Sequence, residues 1–90
     1  MVKMVNNKVL IKLYVPTIGK DYDVFIPVNE FIWKVNKLLV KSVSDLTDGT
    51  FPIRKNYALI NANSGKIYNN NEVIINTDIR NTTELALIEI

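Results

Sequence analysis

The side chains that could act as acids or bases are Asp21, Asp23, Asp45, Asp48, Glu72 and Asp78, scattered over stretches of turn and loop character. General acid–base work needs such groups held in reach of one substrate. They are scattered along the chain, so capping and solubility are their expected roles. Ser42, Ser44 and Ser64 are possible nucleophiles, but the chain has no histidine to activate them. The same absence removes the commonest zinc ligand and pH switch, and the lack of cysteine excludes disulfides and thiolate metal sites. Ser64-Gly65-Lys66 reads as a turn; a phosphate cradle needs a longer glycine-rich loop leading into a helix. Asn81-Thr82-Thr83 is a formal glycosylation sequon with no meaning in a cytosolic protein. The expectation is a protein that is not an enzyme, with no cofactor and no metal.

Charge points the same way. Eleven Lys and Arg stand against nine Asp and Glu, a net charge of +2, which makes no strong case for nucleic acid or a membrane surface. Lys34, Lys37 and Lys41 recur at i, i+3 and i+7 and form a basic helical stripe. A solvated helix face is the plain reading, with docking of nucleic acid or an acidic partner as the alternative. No apolar run approaches the roughly 18 residues of a spanning helix, and MVKMVNNK lacks the apolar core of a signal peptide. A cytoplasmic location without membrane insertion is expected.

The elements that must position these residues follow from hydrophobic period. Ninety residues make one domain, read as a lead-in over 1–7 and a single domain over 8–90. In KVLIKLYV, Val9, Ile11, Leu13 and Val15 alternate with Lys8, Leu10, Lys12 and Tyr14, which predicts a strand. PTIGK is a turn, and DYDVFIP is a second strand with Tyr22, Val24 and Ile26 on one face and Phe25 on the other. The period then becomes helical. Ile32, Val35, Leu39, Val43 and Leu46 share a face, with Phe31 and Leu38 at its edge, predicting a helix over 29–46 with Asn29 as N-cap. FPIRKN is a loop. YALINA is a third strand, with Ile60 assigned inward and Tyr57 and Leu59 outward; NSG is a tight turn, KIY a short fourth strand and Glu84 to Ile90 the last. One amphipathic helix on one face of a mixed four- to five-stranded sheet makes an α+β roll. Its inner face would carry Ile11, Leu13, Val24, Ile26, Ile60, Leu85 and Leu87.

This element order resembles the β-grasp fold of ubiquitin over about Lys8 to Ile90. VIINTDIRNTTELALIEI is similar to the ending of ubiquitin-like domains, with Ile74 and Ile79 at the anchors around a short turn and Leu85 and Leu87 at the buried pair. Ile32, Val35 and Leu39 match the core spacing of the helix. Many such domains carry Tyr in that turn, where this chain has Thr77. Among ubiquitin-like families the chain resembles the small bacterial YukD/EsaB proteins, accessory to type VII secretion: a lone domain with a short lead, a helix running past the ubiquitin-length core, and a stop at the last strand. The resemblance implies a bacterial, cytoplasmic module acting through protein contacts, with components of the secretion machinery as partners.

Two sites emerge. If Leu85 and Leu87 point inward, Ile88 and Ile90 point outward, joined by Leu10, Tyr14, Phe25, Tyr57 and Leu59 in one apolar patch for a partner protein or a homodimer. Trp33, roughly a quarter turn off the helix core stripe, either packs under Phe51-Pro52-Ile53 or serves with Lys34, Lys37 and Lys41 as a second binding region. Members of the fold that are conjugated or carry sulfur end in a flexible Gly-Gly. Here Glu89 and Ile90 read as strand residues, so conjugation is not expected. Alternatives are a carrier whose Gly-Gly is absent from this chain and a small nucleic-acid-binding regulator.

Overall fold

A computed structural model describes residues 7–90 of the chain. The lead-in expected over 1–7 lies outside the described residues except for Asn7, whose carbonyl accepts the Val28 N–H at 2.7 Å. Strand β1 (Lys8–Val15) and strand β2 (Lys20–Pro27) form an antiparallel hairpin. A single 3-10 turn over Pro16–Ile18 joins them, closed by Gly19 in the left-handed region at φ 63°. Helix α1 (Ile32–Leu46) crosses to β3 (Tyr57–Asn61), and β4 (Glu84–Glu89) ends the fold. The sheet order is β2-β1-β4-β3, with β4 parallel to β1 and antiparallel to β3. This is the α+β roll of β-grasp type, with four strands rather than five.

The core lies between α1 and one sheet face. Ile11, Leu13, Val15, Ile26, Leu59, Leu85 and Leu87 meet Ile32, Val35, Leu39, Val40 and Val43, and Ile74 and Ile79 are buried among them. Val24 is only partly buried at its edge. On the helix, Val40 takes the buried place expected of Leu46, which is exposed.

Four local readings change. The helix begins three residues later than predicted, and Asn29 does not cap it: the N-cap is Phe31, without a side-chain cap bond. Val28 and Glu30 are instead tied into the loop beside them, accepting the N–H groups of Ile75 (2.8 Å) and Ile74 (3.0 Å). That pairing holds residues 28–30 in a turn and bend, and Phe31, bridged to Val73, is extended. The free N–H groups of Ile32 and Trp33 are then met by the carbonyls of Glu72 (2.8 Å) and Asn70 (3.3 Å), so a distant loop does the capping. The KIY segment makes a single bridge, Ile67 to Ile60, rather than a strand. β3 faces the other way, with Tyr57 and Leu59 inward. Phe51, expected in a loop, is fully buried and stacks on Tyr57 with ring centroids 4.6 Å apart.

The turn that lacks tyrosine has its own lock. Thr77 is buried; its hydroxyl donates to the Ile74 carbonyl at 2.6 Å and accepts the Ile79 N–H at 3.1 Å. Thr77→Val keeps the shape and loses both bonds, so it should lower the unfolding free energy by about 1–3 kcal/mol in urea denaturation. Thr77→Ser restores the hydroxyl and should recover most of that loss. Equal costs for Val and Ser would refute this lock.

Tyr68, also buried, fills the space under the same turn. Its hydroxyl donates to Asp78 at 2.7 Å and accepts from the Asn61 amide at 3.2 Å. Burial, then the bond to Asp78, pushes its pKa up to about 12 against the ordinary 10, with the Asp78 and Glu72 charges adding to the rise and the Asn61 bond opposing it. The neutral phenol is therefore the form the fold favours. Its contribution is complete below pH 10 and lost as pH rises towards 12. Ultraviolet titration of the folded chain should show a phenol step near pH 12 that disappears in Tyr68→Phe. A step that persists in the variant would assign it to another tyrosine.

Candidate protein-interaction surface

The sheet face opposite α1 is built by strict alternation. From β1 it receives Leu10, Lys12 and Tyr14, and from β2 Asp21, Asp23 and Phe25, which pair in register as Leu10–Phe25, Lys12–Asp23 and Tyr14–Asp21. β4 adds Glu84, Ala86 and Ile88, with Glu84 beside Lys12 and Ala86 beside Tyr14. β3 completes it with Ala58 opposite Ile88 and Ile60 opposite Ala86.

The register divides this face. A charged row, Asp23–Lys12–Glu84, runs across three strands. On one side lies a corner made by Leu10 and Phe25, the latter 61% exposed. The loop after the 3-10 turn Ile74–Asn76 flanks it, with Asn81 Oδ1 accepting the Leu10 N–H at 2.9 Å. On the other side Tyr14, Ala86, Ile60, Ile88 and Ala58 form one apolar patch. Tyr14 is 44% exposed, Ile60, Ile88 and Ala58 are half-buried, and Ala86 is buried in register between Tyr14 and Ile60. Ile60 and Ile88 are diagonal neighbours on adjacent strands, within side-chain reach.

Of the residues expected on this face, Leu10, Tyr14, Phe25 and Ile88 are there, though not in a single patch. Tyr57 and Leu59 are not: both are buried in the core. The reason is that β3 is apolar on both faces, so alternation alone cannot orient it. The larger pair turns inward, where Tyr57 finds the Phe51 ring and donates its hydroxyl to the Pro52 carbonyl at 2.7 Å. Burial, helped by the nearby Glu89 charge, raises the Tyr57 pKa. Ile60, assigned inward from the sequence, belongs to the patch. Ile90 lies past the end of β4, its N–H bonded to the Asn56 carbonyl at 2.9 Å, and lines a groove beside α1 instead.

That groove contains the second set of predicted residues. Trp33 is 44% exposed, its ring stacked at 6.4 Å on that of Phe31, and it is not covered by Phe51. Lys34 pairs with Glu30 and Lys41 with Asp45, both at 3.6 Å; Lys37 has no ion pair among the described residues. The remaining acidic residues do not converge: among the described residues no three His, Cys, Asp or Glu side chains could share a metal ion. No described helix is long and apolar enough to cross a membrane.

No protein-family model and no curated protein matches the sequence. Solved structures do match its fold. A chain of the MycP5-free ESX-5 inner membrane complex in State II superposes with a TM-score of 0.77 at 20% identity, over 94% of this chain and 21% of that one. The EccD5 ubiquitin-like domain from Mycobacterium xenopi superposes with a TM-score of 0.76 at 13% identity, covering 94% of this chain and 97% of that domain. The UBL domain of Plasmodium falciparum Dsk2 gives 0.69 at 18% identity, over 92% and 99% of the two chains. The chain thus spans about a fifth of the ESX-5 chain it resembles, and nearly all of the isolated ubiquitin-like domains.

Proposed function

We propose that the chain is a non-catalytic ubiquitin-like interaction module serving a type VII secretion system from the cytoplasm, as an accessory or regulatory component of the YukD/EsaB kind. The observation that carries this reading is that a whole-length ubiquitin-like fold, shared with a domain of a chain in an ESX-5 complex, presents an apolar patch on the sheet face its helix leaves open. Such patches on small domains are partner surfaces. The patch works by non-covalent contact: Tyr14 and Ile88 supply apolar area, and the Asp23–Lys12–Glu84 row beside it sets orientation through charge. The nucleic-acid reading draws little support from a net charge of only +2.

A photoreactive phenylalanine analogue in place of Tyr14, in cells of the native host, tests the reading. Irradiation should join the chain to a component of the secretion membrane complex. The same probe at Lys66, in the turn after β3, should give no such adduct. Identical adducts from both positions, or adducts only to proteins outside the secretion system, would overturn it.

A further inference from the structure

The open side of α1 carries a second surface, separate from the sheet patch. A groove of about 900 Å³ runs between α1 and the segment leading into β3. Its floor is apolar: Trp33, Leu38, Val40, Ile53 and Ile90. Trp33 and Leu38 are nearly half exposed, and Ile53 and Ile90 more than half, an unusual density of open apolar side chains for a domain this small. Its rim is basic. Lys34, Lys37 and Lys41 follow one another along the helix, and Lys55 stands on the opposite wall. Asp45 is the one acidic residue of the lining. The groove follows α1 from Trp33 to Asp45, about 18 Å at 1.5 Å per residue, or three helical turns.

We infer that this groove binds an acidic amphipathic peptide segment of a partner protein. Apolar anchors of such a segment, spaced at i, i+3 or i+4 and i+7, would cover Trp33, Leu38 and Ile53. Its carboxylates would meet Lys37 directly. They would also compete for Lys34, Lys41 and Lys55, whose partners Glu30, Asp45 and Glu89 each hold them at 3.6 Å, on side chains that are exposed except for the half-buried Glu30. Exposed pairs of this length are weak and exchange easily. Charge is what selects the occupant. Residues 1–6 contain Lys3 and no acid, so that segment of the chain lacks the required complement.

The chain's single tryptophan makes the groove its own reporter. A displayed library of random 14-residue peptides, selected on the full chain, should enrich sequences with two or more acidic residues around large apolar anchors. Synthetic copies should shift Trp33 emission to the blue and bind more weakly as salt rises. Their affinity should fall at least about tenfold in Lys37→Glu/Lys55→Glu and in Trp33→Ser, the latter read by anisotropy of labelled peptide. Ile88→Asp, on the sheet patch, should bind them normally, so failure here and failure of the secretion reading are separable. Circular dichroism confirms that each variant is folded. Three results would overturn the inference. Enriched peptides could lack acidic excess or ignore the groove variants. The chain could self-associate through Trp33, making a second copy the occupant. Or vesicles with phosphatidylglycerol, and not peptides, could produce the blue shift and lose it in Lys37→Glu/Lys55→Glu.

Discussion

Truncating Phe51 to alanine is expected to lower the unfolding free energy by about 3–5 kcal/mol, the usual cost of emptying a fully buried aromatic site. For a chain this short, total stability is of the order of 5–10 kcal/mol, so the variant should lose a large share of it. Phe51 is completely buried, stacked on Tyr57 at an interplanar angle of 28°. Its backbone is fixed as well. The Phe51 N–H donates to Thr47 Oγ1 at 3.1 Å, and that hydroxyl donates on to the Val43 carbonyl at 2.9 Å, at the end of α1. Gly49, at φ 84°, helps turn the chain there and donates its N–H to the Ser44 carbonyl at 2.8 Å. The helix end thus aims Phe51 at β3, and neighbouring atoms have little freedom to fill the hole. Ile53→Ala is the matched control. It stands two residues on, in the same segment, and is 58% exposed, so its cost should stay within about 0.5 kcal/mol. Urea denaturation of both variants measures the contrast, and equal losses would remove Phe51 from the core.

The second large effect is on binding. Ile88→Asp should leave the fold intact, with a stability loss of about 1 kcal/mol, because the side chain points to the open sheet face. It should weaken the partner captured through Tyr14 by about thirtyfold or more, the equivalent of a 2 kcal/mol hot spot. The register gives the prediction finer grain. Ile60→Asp falls in the same patch and should cause a comparable loss. Phe25→Asp, across the Asp23–Lys12–Glu84 row, should cause a smaller one. Circular dichroism and a binding isotherm for each variant are sufficient. An unfolded Ile88→Asp would reverse the face assignment. A folded variant that binds normally would remove the patch from the interface, as would a loss in Phe25→Asp equal to that in Ile88→Asp.

How far the chain could be read depended on contrast between the two faces of each element. In β1, Ile11, Leu13 and Val15 alternate with Lys12 and Tyr14, and both bounds and orientation are as expected. In α1 the stripe of Ile32, Val35, Leu39 and Val43 is equally plain, and four of its five predicted members are buried. β3 has no such contrast: Ala58 and Ile60 are as apolar a pair as Tyr57 and Leu59, so its orientation had to come from elsewhere. The error placed Tyr57 and Leu59 on the interaction surface and left Ile60 unrecognised. The start of α1 was hidden for a different reason. Asn29 is a good local cap, but the carbonyls of Glu72 and Asn70 replace it from forty positions away, and no local signal announces them.

What the sequence determined by itself was the set of elements with one polar and one apolar side, and hence the two-layer roll they build. Burying a one-sided strand or helix has a single favourable answer, and that answer is written in neighbouring residues. Tertiary structure decided what hydrophobic period leaves open. It turned Tyr57 towards Phe51, withdrew the helix start to Phe31, and locked the Thr77 turn. The parallel register of β1 on β4 split an apparently continuous apolar face with a charged row. The fold also brought Ile53 and Lys55 beside Trp33 and Lys37, joining a loop and a helix stripe into one groove. The helix cap and the β1–β4 register join residues far apart in sequence, while the Tyr57–Phe51 and Thr77 contacts are set within a few residues by loop geometry; hydrophobic period encodes neither.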